Sequence, residues 1–391
     1  MKKVITFLTA TRAEYGLLRP VIKRLLQDKT IEVRVVVTGA HLSHEFGLTY
    51  QEIEQDGVQI DRKIDIMLSS DTPASISKTM GIAMICFADY FSERRPDLLV
   101  VLGDRYEALA VCCAAANERI PIAHLYGGET TEGALDESFR HAITKLSYIH
   151  FASTDDYRKR IIQLGESPDR VYNVGSLGVE NVLREPLLSK AELELALGLS
   201  LNIPYAVITY HPVTLEYQSA EEQFSAILKV LERQQNLSLV FTKANADEGG
   251  RVINSMIDAY VDKQSNAAVF TSLGTQKYLS AVAHSSVVIG NSSSGIIEVP
   301  SLHVPTINIG DRQKGRIQAE SIINCDPTEK DFSEKLAYAL SERSQKKAES
   351  CTNPYGTGNS SELICSKIKH FLSHPPASLK KTFYHNEEWD R

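Results

Sequence analysis

Paired cysteines, long uncharged apolar runs and blocks of basic residues are all missing from the sequence. Its six cysteines include no C-x-x-C pair, so neither a zinc site nor a disulfide framework is expected. The apolar run at the N-terminus breaks at Thr9–Arg12, too early for a signal peptide, and no other run is long enough to span a bilayer. We therefore expect a cytoplasmic protein with no membrane partner.

The lack of a basic block also bears on partners. The formal net charge at pH 7 is -7, which favours solubility and argues against binding to nucleic acid. No G-x-G-x-x-G fingerprint follows the first predicted strand, where the chain instead reads TRAEYG over Thr11–Gly16. A dinucleotide cofactor is therefore not expected.

What the sequence does contain is an alternation of short apolar runs and longer amphipathic stretches, which is typical of parallel βα units. The predicted strands are Val4–Thr9, Val33–Thr38, Leu98–Gly103, Ile120–Leu125, His150–Ala152, Val171–Val174, Tyr205–Tyr210, Ser238–Thr242, Ala267–Phe270, Val287–Ile289 and Thr306–Ile309. With 391 residues, the chain exceeds the size at which one core stops growing. We therefore predict an α/β protein with two Rossmann-like, doubly wound domains that face each other across a cleft.

The predicted boundary lies near Pro186, where a proline interrupts the chain before a charged helix. Residues 1–183 then form the first domain, and residues 184–372 form the second. We expect the charged tail, residues 373–391, to pack back on the first domain. Ligands of doubly wound sheets bind at the carboxyl ends of the strands, so the segments after the strands are the candidates for function.

The clearest functional signal is the segment GNSSSG, Gly290–Gly295, which follows an apolar strand and leads into a helix predicted over Ser294–Leu302. Backbone N–H groups, serine hydroxyls and the positive end of the helix converge there, which predicts a diphosphate site that needs no metal. Glu298 follows about one helical turn later, spaced to accept both hydroxyls of a ribose. The alternative is a helix that is simply capped by serine.

Charged residues follow two strands of the first half. Asp104, Arg105 and Glu107 come directly after an apolar strand, where charges are costly unless they are paired or face a cleft. The next strand leads into a glycine-rich loop with four carboxylates: Glu129, Glu132, Asp136 and Glu137. These groups suit removal of a proton from a sugar carbon. The alternatives are helix caps at Asp104 and Asp136 and an Arg105–Glu107 ion pair.

Three further positions suit an anionic ligand. Arg12 stands at the predicted start of a helix, where its guanidinium and free N–H groups favour phosphate, or it is a surface arginine beside a turn. His211 ends a strand and is either structural or functional. The segment GDRQKGR, Gly310–Arg316, places three cations after the last predicted strand, either for more phosphate charge or as a solvated charge run.

Together these segments resemble the hydrolysing UDP-N-acetylglucosamine 2-epimerases over nearly the whole chain. The motifs that carry the resemblance are Thr11–Gly16, GDRYE at Gly103–Glu107, RHAITK at Arg140–Lys145, His211 with Pro212, Gly290–Gly295 with Glu298, and Gly310–Arg316. The last motif is similar to the hydrolysing branch and differs from the reversible epimerases. The resemblance implies a glycosyltransferase-B architecture, no metal or other cofactor, and a homodimer or homotetramer.

The implied reaction converts UDP-N-acetylglucosamine and water to N-acetylmannosamine and UDP, for sialic-acid-type sugars. The residues implied to bind UDP are Arg12, His211, Asn245, Leu273, Ser292, Ser293, Ser294, Gly295, Glu298 and Arg312. The residues implied to act in catalysis are Asp104, Arg105, Tyr126, Glu129, Asp136 and His211.

One position departs from the family pattern. Several relatives have a glutamate as the third residue of an H-x-E-G-G-E segment, whereas His124–Glu129 of this chain has Tyr126. Either Glu129 or the Tyr126 phenol takes the acid/base role, or Asp104 and Asp136 suffice. The change also suits another sugar, UDP-2,4-diacetamido-2,4,6-trideoxyglucose of the legionaminic acid route, because an aromatic residue tolerates a 4-acetamido group better than a carboxylate does.

Two functions of another kind would share part of these motifs. A retaining glycosyltransferase would use the same phosphate turn and ribose glutamate, but it would need an acceptor and no carboxylates at C2 of the sugar. A non-catalytic nucleotide-sugar sensor would bind the same ligand, but it has no use for the proton-transfer groups Asp104 and Asp136. The carboxylates therefore favour the epimerase over both.

Overall fold

The computed structural model describes residues 2–70, 72–130, 135–201, 204–212, 220–244 and 250–385. The chain divides into two compact units. Unit 1 contains the described residues up to Glu129, Leu135–Glu180 and the C-terminal segment from Gly356, whereas unit 2 is built on Asn181–Tyr355. In the described part of the chain, no helix is long and apolar enough to cross a membrane.

Unit 1 contains a parallel sheet with the strand order β3-β2-β1-β4-β5-β6-β7. Its strands are β1 (Lys3–Thr9), β2 (Ile31–Thr38), β3 (Ile60–Ile64), β4 (Leu98–Leu102), β5 (Ile122–Leu125), β6 (Ile149–Ala152) and β7 (Val171–Asn173). Its helices are α1 (Arg12–Leu26), α2 (Tyr50–Gln55), α3 (Pro73–Glu93), α4 (Tyr106–Asn117), α5 (Asp136–Leu146), α6 (Asp155–Gln163) and α7 (Leu177–Arg184), which contains the division between the units. Short 3-10 turns cover Gly39–Leu42 and Pro168–Arg170.

Unit 2 repeats the scheme with the order β10-β9-β8-β11-β12-β13. Its strands are β8 (Tyr205–Thr209), β9 (Ser238–Thr242), β10 (Ala267–Phe270), β11 (Val287–Gly290), β12 (Thr306–Ile309) and β13 (Ile322–Cys325). Its helices are α8 (Lys190–Leu197), α9 (Ala220–Glu232), α10 (Gly250–Val261), α11 (Gly274–Ala283), α12 (Ser293–Ile297), α13 (Glu329–Ala339) and α14 (Glu342–Glu349), with a 3-10 turn at Val299–Leu302.

Each sheet is buried on both faces, which is why its central strands read as uninterrupted apolar runs. Successive side chains of a strand point to opposite faces. In β4, Leu98 and Val100 therefore enter one core cluster of unit 1, and Leu99 and Val101 enter the other. The predicted fold class is confirmed, because both sheets have the strand order of a doubly wound domain.

The predicted strands agree with the structure to within one or two residues at each end, but two edge strands were not predicted. Strand β3 reads IDRKI, and its polar side chains are partly or fully exposed. Strand β13 reads IINC and has only four residues. Edge strands are covered less completely than central ones, so the apolar pattern that identifies a buried strand is weak in both.

The end of the chain returns to unit 1, although the sequence predicts that residues 184–372 form one domain. Helix α15 (Ser360–Ser373) packs against α1, and its buried Ile364, Ile368 and Leu372 join the core of unit 1. The spacing of these residues places them on one face of the helix. The sequence indicates that α15 has an apolar face, but it does not indicate which unit this face packs against.

Residues 374–385 continue along unit 1. The Lys381 ammonium donates to both carboxylate oxygens of the buried Glu166 at 3.0 Å. The N–H of Tyr384 donates to the Gly165 carbonyl at 2.9 Å. Gly165 has a φ of +88°, and a Cβ there would lie 2.3 Å from the Phe383 ring. The aromatic ring therefore lies directly on the glycine backbone.

Candidate functional site

The predicted residues of unit 1 gather at the carboxyl ends of three neighbouring strands. Arg12 follows β1, Asp104 and Arg105 follow β4, and Glu129 belongs to the loop after β5. Because β1, β4 and β5 are adjacent in the sheet, these loops lie side by side. The pair β1–β4 is also the point where the strand order reverses, where doubly wound domains bind their ligands.

Arg140 of α5 is the centre of this group. Its side chain is only 2% exposed, and it donates to the Glu129 carbonyl at 2.7 Å and to the Glu137 carboxylate at 2.5 Å. It also forms a short ion pair with Asp104. Burial lowers the pKa of Arg140, but Asp104, Glu129 and Glu137 more than offset this and raise it above its ordinary value. The guanidinium thus fixes Asp104, whose side chain remains 24% exposed.

The other predicted carboxylates flank Arg140. The Glu129 carboxylate is buried and accepts from the Ser153 hydroxyl at 2.7 Å. Asp136 is the first residue of α5 and lies one turn before Arg140, on the same side of the helix. The cap position belongs to Leu135, which has no side-chain cap bond. The helix-cap alternative for Asp136 is therefore wrong.

Arg105 occupies the cap position of α4, without a side-chain cap bond. Its Nε donates to the buried Glu107 carboxylate at 2.6 Å. The Arg105–Glu107 ion pair considered from the sequence is therefore present, and the cap alternative for Asp104 is wrong.

Tyr126 lies in a different environment from the one its acid/base role requires. Its backbone is left-handed, with a φ of 68°. Its hydroxyl accepts from the Leu177 N–H at 2.8 Å and lies 3.1 Å from the Ser176 hydroxyl. Burial raises the pKa of Tyr126 well above its ordinary value. The phenol is thus held in the first turn of α7, and this placement does not support the proton-transfer role considered for it.

His124 is a positioning residue that sequence reasoning did not identify. It is completely buried, and burial lowers the pKa of its imidazole to about 3. The neutral ring donates from Nε2 to the Gly103 carbonyl at 2.7 Å, so Nδ1, 3.2 Å from the Thr144 hydroxyl, is the acceptor. A Cβ at Gly127 would lie 3.0 Å from that Nδ1. His124 therefore holds the residue that precedes Asp104.

The predicted residues of unit 2 also follow adjacent strands, β8, β11 and β12. His211 follows β8, Ser292 follows β11 and Arg312 follows β12. The β8 and β11 ends touch at Gly290, whose φ is +140° and whose Cβ, if present, would lie 1.9 Å from the Thr209 carbonyl oxygen. Only glycine fits there.

Asn291 connects the loops after β8, β11 and β12 through hydrogen bonds, a role that sequence reasoning missed. Its side chain accepts from the N–H of His211 and donates to the carbonyl of His211, both at 2.7 Å. Its own carbonyl accepts from Arg312 at 3.0 Å and from Gln313 at 2.8 Å. The only sequence signal for this role is its position in the GNSSSG segment.

The serine turn differs from its prediction in one respect. Helix α12 ends at Ile297, and Pro300 lies in the 3-10 turn that follows, whereas the sequence predicts one helix over Ser294–Leu302. A helix of five residues has little macrodipole. The anion-binding potential therefore rests on local N–H groups and hydroxyls. Ser292 is the cap residue, and its side chain accepts from the Ser294 N–H at 3.4 Å.

Glu298 is half-buried, and burial raises the pKa of its carboxyl group. The Ser294 hydroxyl donates to its Oε2 at 2.5 Å, and the Tyr278 hydroxyl donates to Ser294 at 3.1 Å. Tyr278 was not predicted, because nothing in the sequence links α11 to the turn. Ser294 is therefore engaged within the protein, and Glu298 retains a second oxygen for a ligand.

The remaining predicted positions are of three kinds. Gly295 is buried, and a Cβ there would lie 2.9 Å from the Thr306 methyl, so it serves packing. Leu273 is buried next to the start of α11. Asn245 lies outside the described residues. Within the described ranges, no group of three or more His, Cys, Asp or Glu side chains is arranged to hold a metal ion.

Comparison with known proteins identifies the family. Residues 23–369 match the family model described as UDP-N-acetylglucosamine 2-epimerase. The chain is 46% identical over 324 residues to the GDP/UDP-N,N'-diacetylbacillosamine 2-epimerase (hydrolyzing) of Campylobacter jejuni, with 83% of this chain and 84% of that protein covered. It is 40% identical over 374 residues to the polysialic acid biosynthesis protein P7 of Escherichia coli, with 95% of each chain covered.

A solved structure shares the fold. The UDP-GlcNAc 2-epimerase of Neisseria meningitidis, bound to UDP-GlcNAc, matches with a TM-score of 0.80 at 21% identity, with 94% of this chain and 100% of that chain covered. This likeness confirms the predicted two-domain glycosyltransferase-B fold. From the family match and the similarity to a hydrolysing relative, the chain belongs to the UDP-N-acetylglucosamine 2-epimerase family, in its hydrolysing branch.

Proposed function

We propose that this protein is a hydrolysing 2-epimerase of UDP-N,N'-diacetylbacillosamine, the 2,4-diacetamido-2,4,6-trideoxyglucose nucleotide considered from the sequence. The observation that carries this proposal is the 46% identity to a relative whose name gives GDP/UDP-N,N'-diacetylbacillosamine as its substrate. Tyr126 supports it, because it replaces the glutamate of several relatives with an uncharged side chain whose hydroxyl is already bonded within the protein.

UDP-N-acetylglucosamine is the second candidate substrate. It is favoured by the 40% identity to a polysialic acid biosynthesis protein, since N-acetylmannosamine, the product of its hydrolysing epimerisation, is a precursor of sialic-acid-type sugars. The two substrates differ at C4 and C6 and share the 2-acetamido group and the UDP leaving group. One chemical mechanism therefore serves both.

The difficult step is loss of the C2 proton, because C2 is not next to a carbonyl. Stretching of the C1–O bond to UDP gives C1 cationic character and acidifies this proton, so groups that stabilise the leaving UDP promote it indirectly. In the proposal, the Ser292 and Ser293 N–H and hydroxyl groups hold the diphosphate, with Arg312. Glu298 binds the ribose, and His211, Asn245 and Arg12 contribute further UDP contacts.

The proposal assigns the sugar chemistry to the carboxylates around Arg140. One of them removes the C2 proton to give a 2-acetamidoglucal, and a second group delivers water to C1 and a proton to C2 on the opposite face. Asp104 is the first candidate, because it is held by Arg140 and remains partly exposed. Asp136 and Glu129 are candidates for the second group. Each well-placed acid or base contributes about 10²–10⁴ in rate.

The test is incubation with each UDP-sugar in deuterated water. We expect release of UDP and of a free 2-epimerised sugar with deuterium at C2, and a higher kcat/KM for UDP-N,N'-diacetylbacillosamine. A higher kcat/KM for UDP-N-acetylglucosamine would select the second candidate. Intact nucleotide sugar in both incubations would refute the epimerase function for these substrates. We also propose a homodimer or homotetramer, which light scattering measures.

A further inference from the structure

Unit 1 contains a second pair of carboxylates that the proposed mechanism does not use. Glu14 lies in the first turn of α1, and Glu107 lies in the first turn of α4. Both side chains are buried. Buried carboxylates are rare unless they are paired, so the surroundings of this pair need an explanation.

The carboxyl groups of Glu14 and Glu107 both lie close to the backbone at Ala10 and Gly39. The Ala10 N–H donates to Glu14 Oε2 at 2.7 Å, and Arg105 Nε donates to Glu107 Oε1 at 2.6 Å. A Cβ at Gly39 would lie 3.1 Å from the Ala10 methyl and 3.5 Å from Glu107 Oε1. Gly39 therefore lies between Glu107 and Ala10, and the N–H of Ala10 is hydrogen-bonded to Glu14.

Each carboxyl group also has one oxygen that lacks a partner. Glu14 Oε1 and Glu107 Oε2 are buried and accept no hydrogen bond from any described residue. An ionised carboxylate in this position is strongly unfavourable. The Arg105 guanidinium beside the pair bonds to Glu107. Glu14 is therefore the member whose charge is compensated less.

The other groups around Glu14 do not compensate the negative charge of its ionised form. The Ala10 and Thr11 N–H groups stabilise its carboxylate, but burial and the neighbouring Glu107 raise the pKa of Glu14 to about 7. The backbone N–H of His41 donates to the Ala10 carbonyl on the other side, and burial lowers the pKa of the His41 imidazole to about 4, so the ring is neutral.

We propose that Glu14 is a positioning residue that carries a proton in the active enzyme and thereby leaves Glu107 to hold Arg105. The proposal rests on the proposed function and on the catalytic role that the family resemblance implies for Arg105, the residue next to Asp104. When Glu14 loses this proton, two buried carboxylates compete for one guanidinium, and Arg105 is drawn away from the position that Glu107 gives it. Epimerase activity is then lost as the pH rises.

The first test is the pH profile of kcat/KM for the full-length enzyme and for Glu14→Gln, which keeps the shape of the neutral acid. We expect the wild-type enzyme to lose activity on the alkaline side, up to about tenfold per pH unit once one essential proton is lost. We expect Glu14→Gln to retain activity there. Glu107→Gln is expected to lower kcat about tenfold or more with a smaller change in KM. Glu118→Gln, at the C-terminal cap of α4, where the side chain is 39% exposed, is the matched control and leaves the profile unchanged.

An unchanged alkaline limb in folded Glu14→Gln would overturn the proposal. A second measurement separates this outcome from failure of the proposed function. NMR titration of protein with labelled glutamate carboxyl groups needs no substrate, and we expect a glutamate signal that titrates near neutral pH in the wild-type protein and is absent in Glu14→Gln. If no signal of this kind is lost in Glu14→Gln, Glu14 carries no proton at neutral pH and the inference is wrong, whatever the activity. If that signal is present but neither UDP-sugar is consumed, the proton assignment stands and the epimerase function fails.

Discussion

Replacement of Arg140 by methionine tests the organisation of the carboxylate group most directly. The substitution removes a cation that is 2% exposed and leaves the Glu129 carbonyl, Glu137 and Asp104 without their shared donor. Removal of one partner of a buried ion pair costs about 3–5 kcal/mol, because the other partner stays buried and unpaired. The loss for Arg140→Met is expected in this range and is accompanied by loss of epimerase activity, since Asp104 is released.

Arg158→Met is the matched control for this substitution. Arg158 is half-buried in the same unit and donates to the carbonyls of Val171 and Pro168, with no carboxylate among these contacts. Its loss is expected to cost about 1–2 kcal/mol, as for ordinary hydrogen bonds. The assay is chemical denaturation of both variants at pH 5 and pH 8.

The pH dependence distinguishes electrostatic from steric effects. Without Arg140, the three carboxylates near it repel one another, and this repulsion is weaker at low pH, where fewer carboxylates are charged. The penalty for Arg140→Met is therefore expected to shrink at pH 5, whereas the penalty for Arg158→Met stays constant. Equal, pH-independent penalties in the two variants would refute the role given to Arg140.

Further predictions concern single residues of both units. Asp104→Asn is expected to keep UDP binding and to lose about 10²–10⁴ in turnover; near-normal turnover would contradict its assignment. Glu298→Ala is expected to weaken UDP binding in calorimetry with no effect on the fold, and an unchanged Kd would exclude a ribose contact. Gly290→Ala forces β8 and β11 apart and is expected to cost about 1–3 kcal/mol in stability, measured by thermal unfolding; an unchanged Tm would contradict the close approach. Glu14 keeps its proton in the folded protein up to about pH 7, whereas the unfolded chain loses it near 4.5. Stability therefore falls as the pH rises through this window, by about 1.4 kcal/mol per unit of pKa difference. Glu14→Gln should remove this pH dependence of the free energy of unfolding, measured by urea titration. An unchanged pH dependence would be evidence against a proton on Glu14.

The sheets and the strand ends could be predicted because they depend on local pattern. Runs such as LLVVL in β4 are apolar for their whole length, since both faces are covered. Because Asp104 and Ser292 directly follow such strands, their positions at the carboxyl end of the sheet could be predicted without knowledge of the other contacts. The same reasoning failed at β3 and β13, because strands at the edge of a sheet are less buried and need fewer apolar residues.

The contacts within the candidate site could not be predicted, because they join distant segments. Arg140 meets Asp104 across 36 positions of sequence, and Asn291 meets His211 across 80. Nothing in either segment specifies its partner. The short α12 has a local cause, Pro300, but the sequence pattern of small and apolar residues is helical up to that point.

The return of α15 to unit 1 has a consequence for synthesis on the ribosome. Apart from a short segment that begins at Thr130, unit 2 comes from one stretch of chain, Asn181–Tyr355, so nearly all of it can fold once that stretch has emerged. The core of unit 1 stays open until Ile364, Ile368 and Leu372 reach the face of α1 that contains Leu18 and Val21. The half of the protein made first is therefore completed last, and its apolar α1 face is exposed to chaperones and to other nascent chains for most of translation.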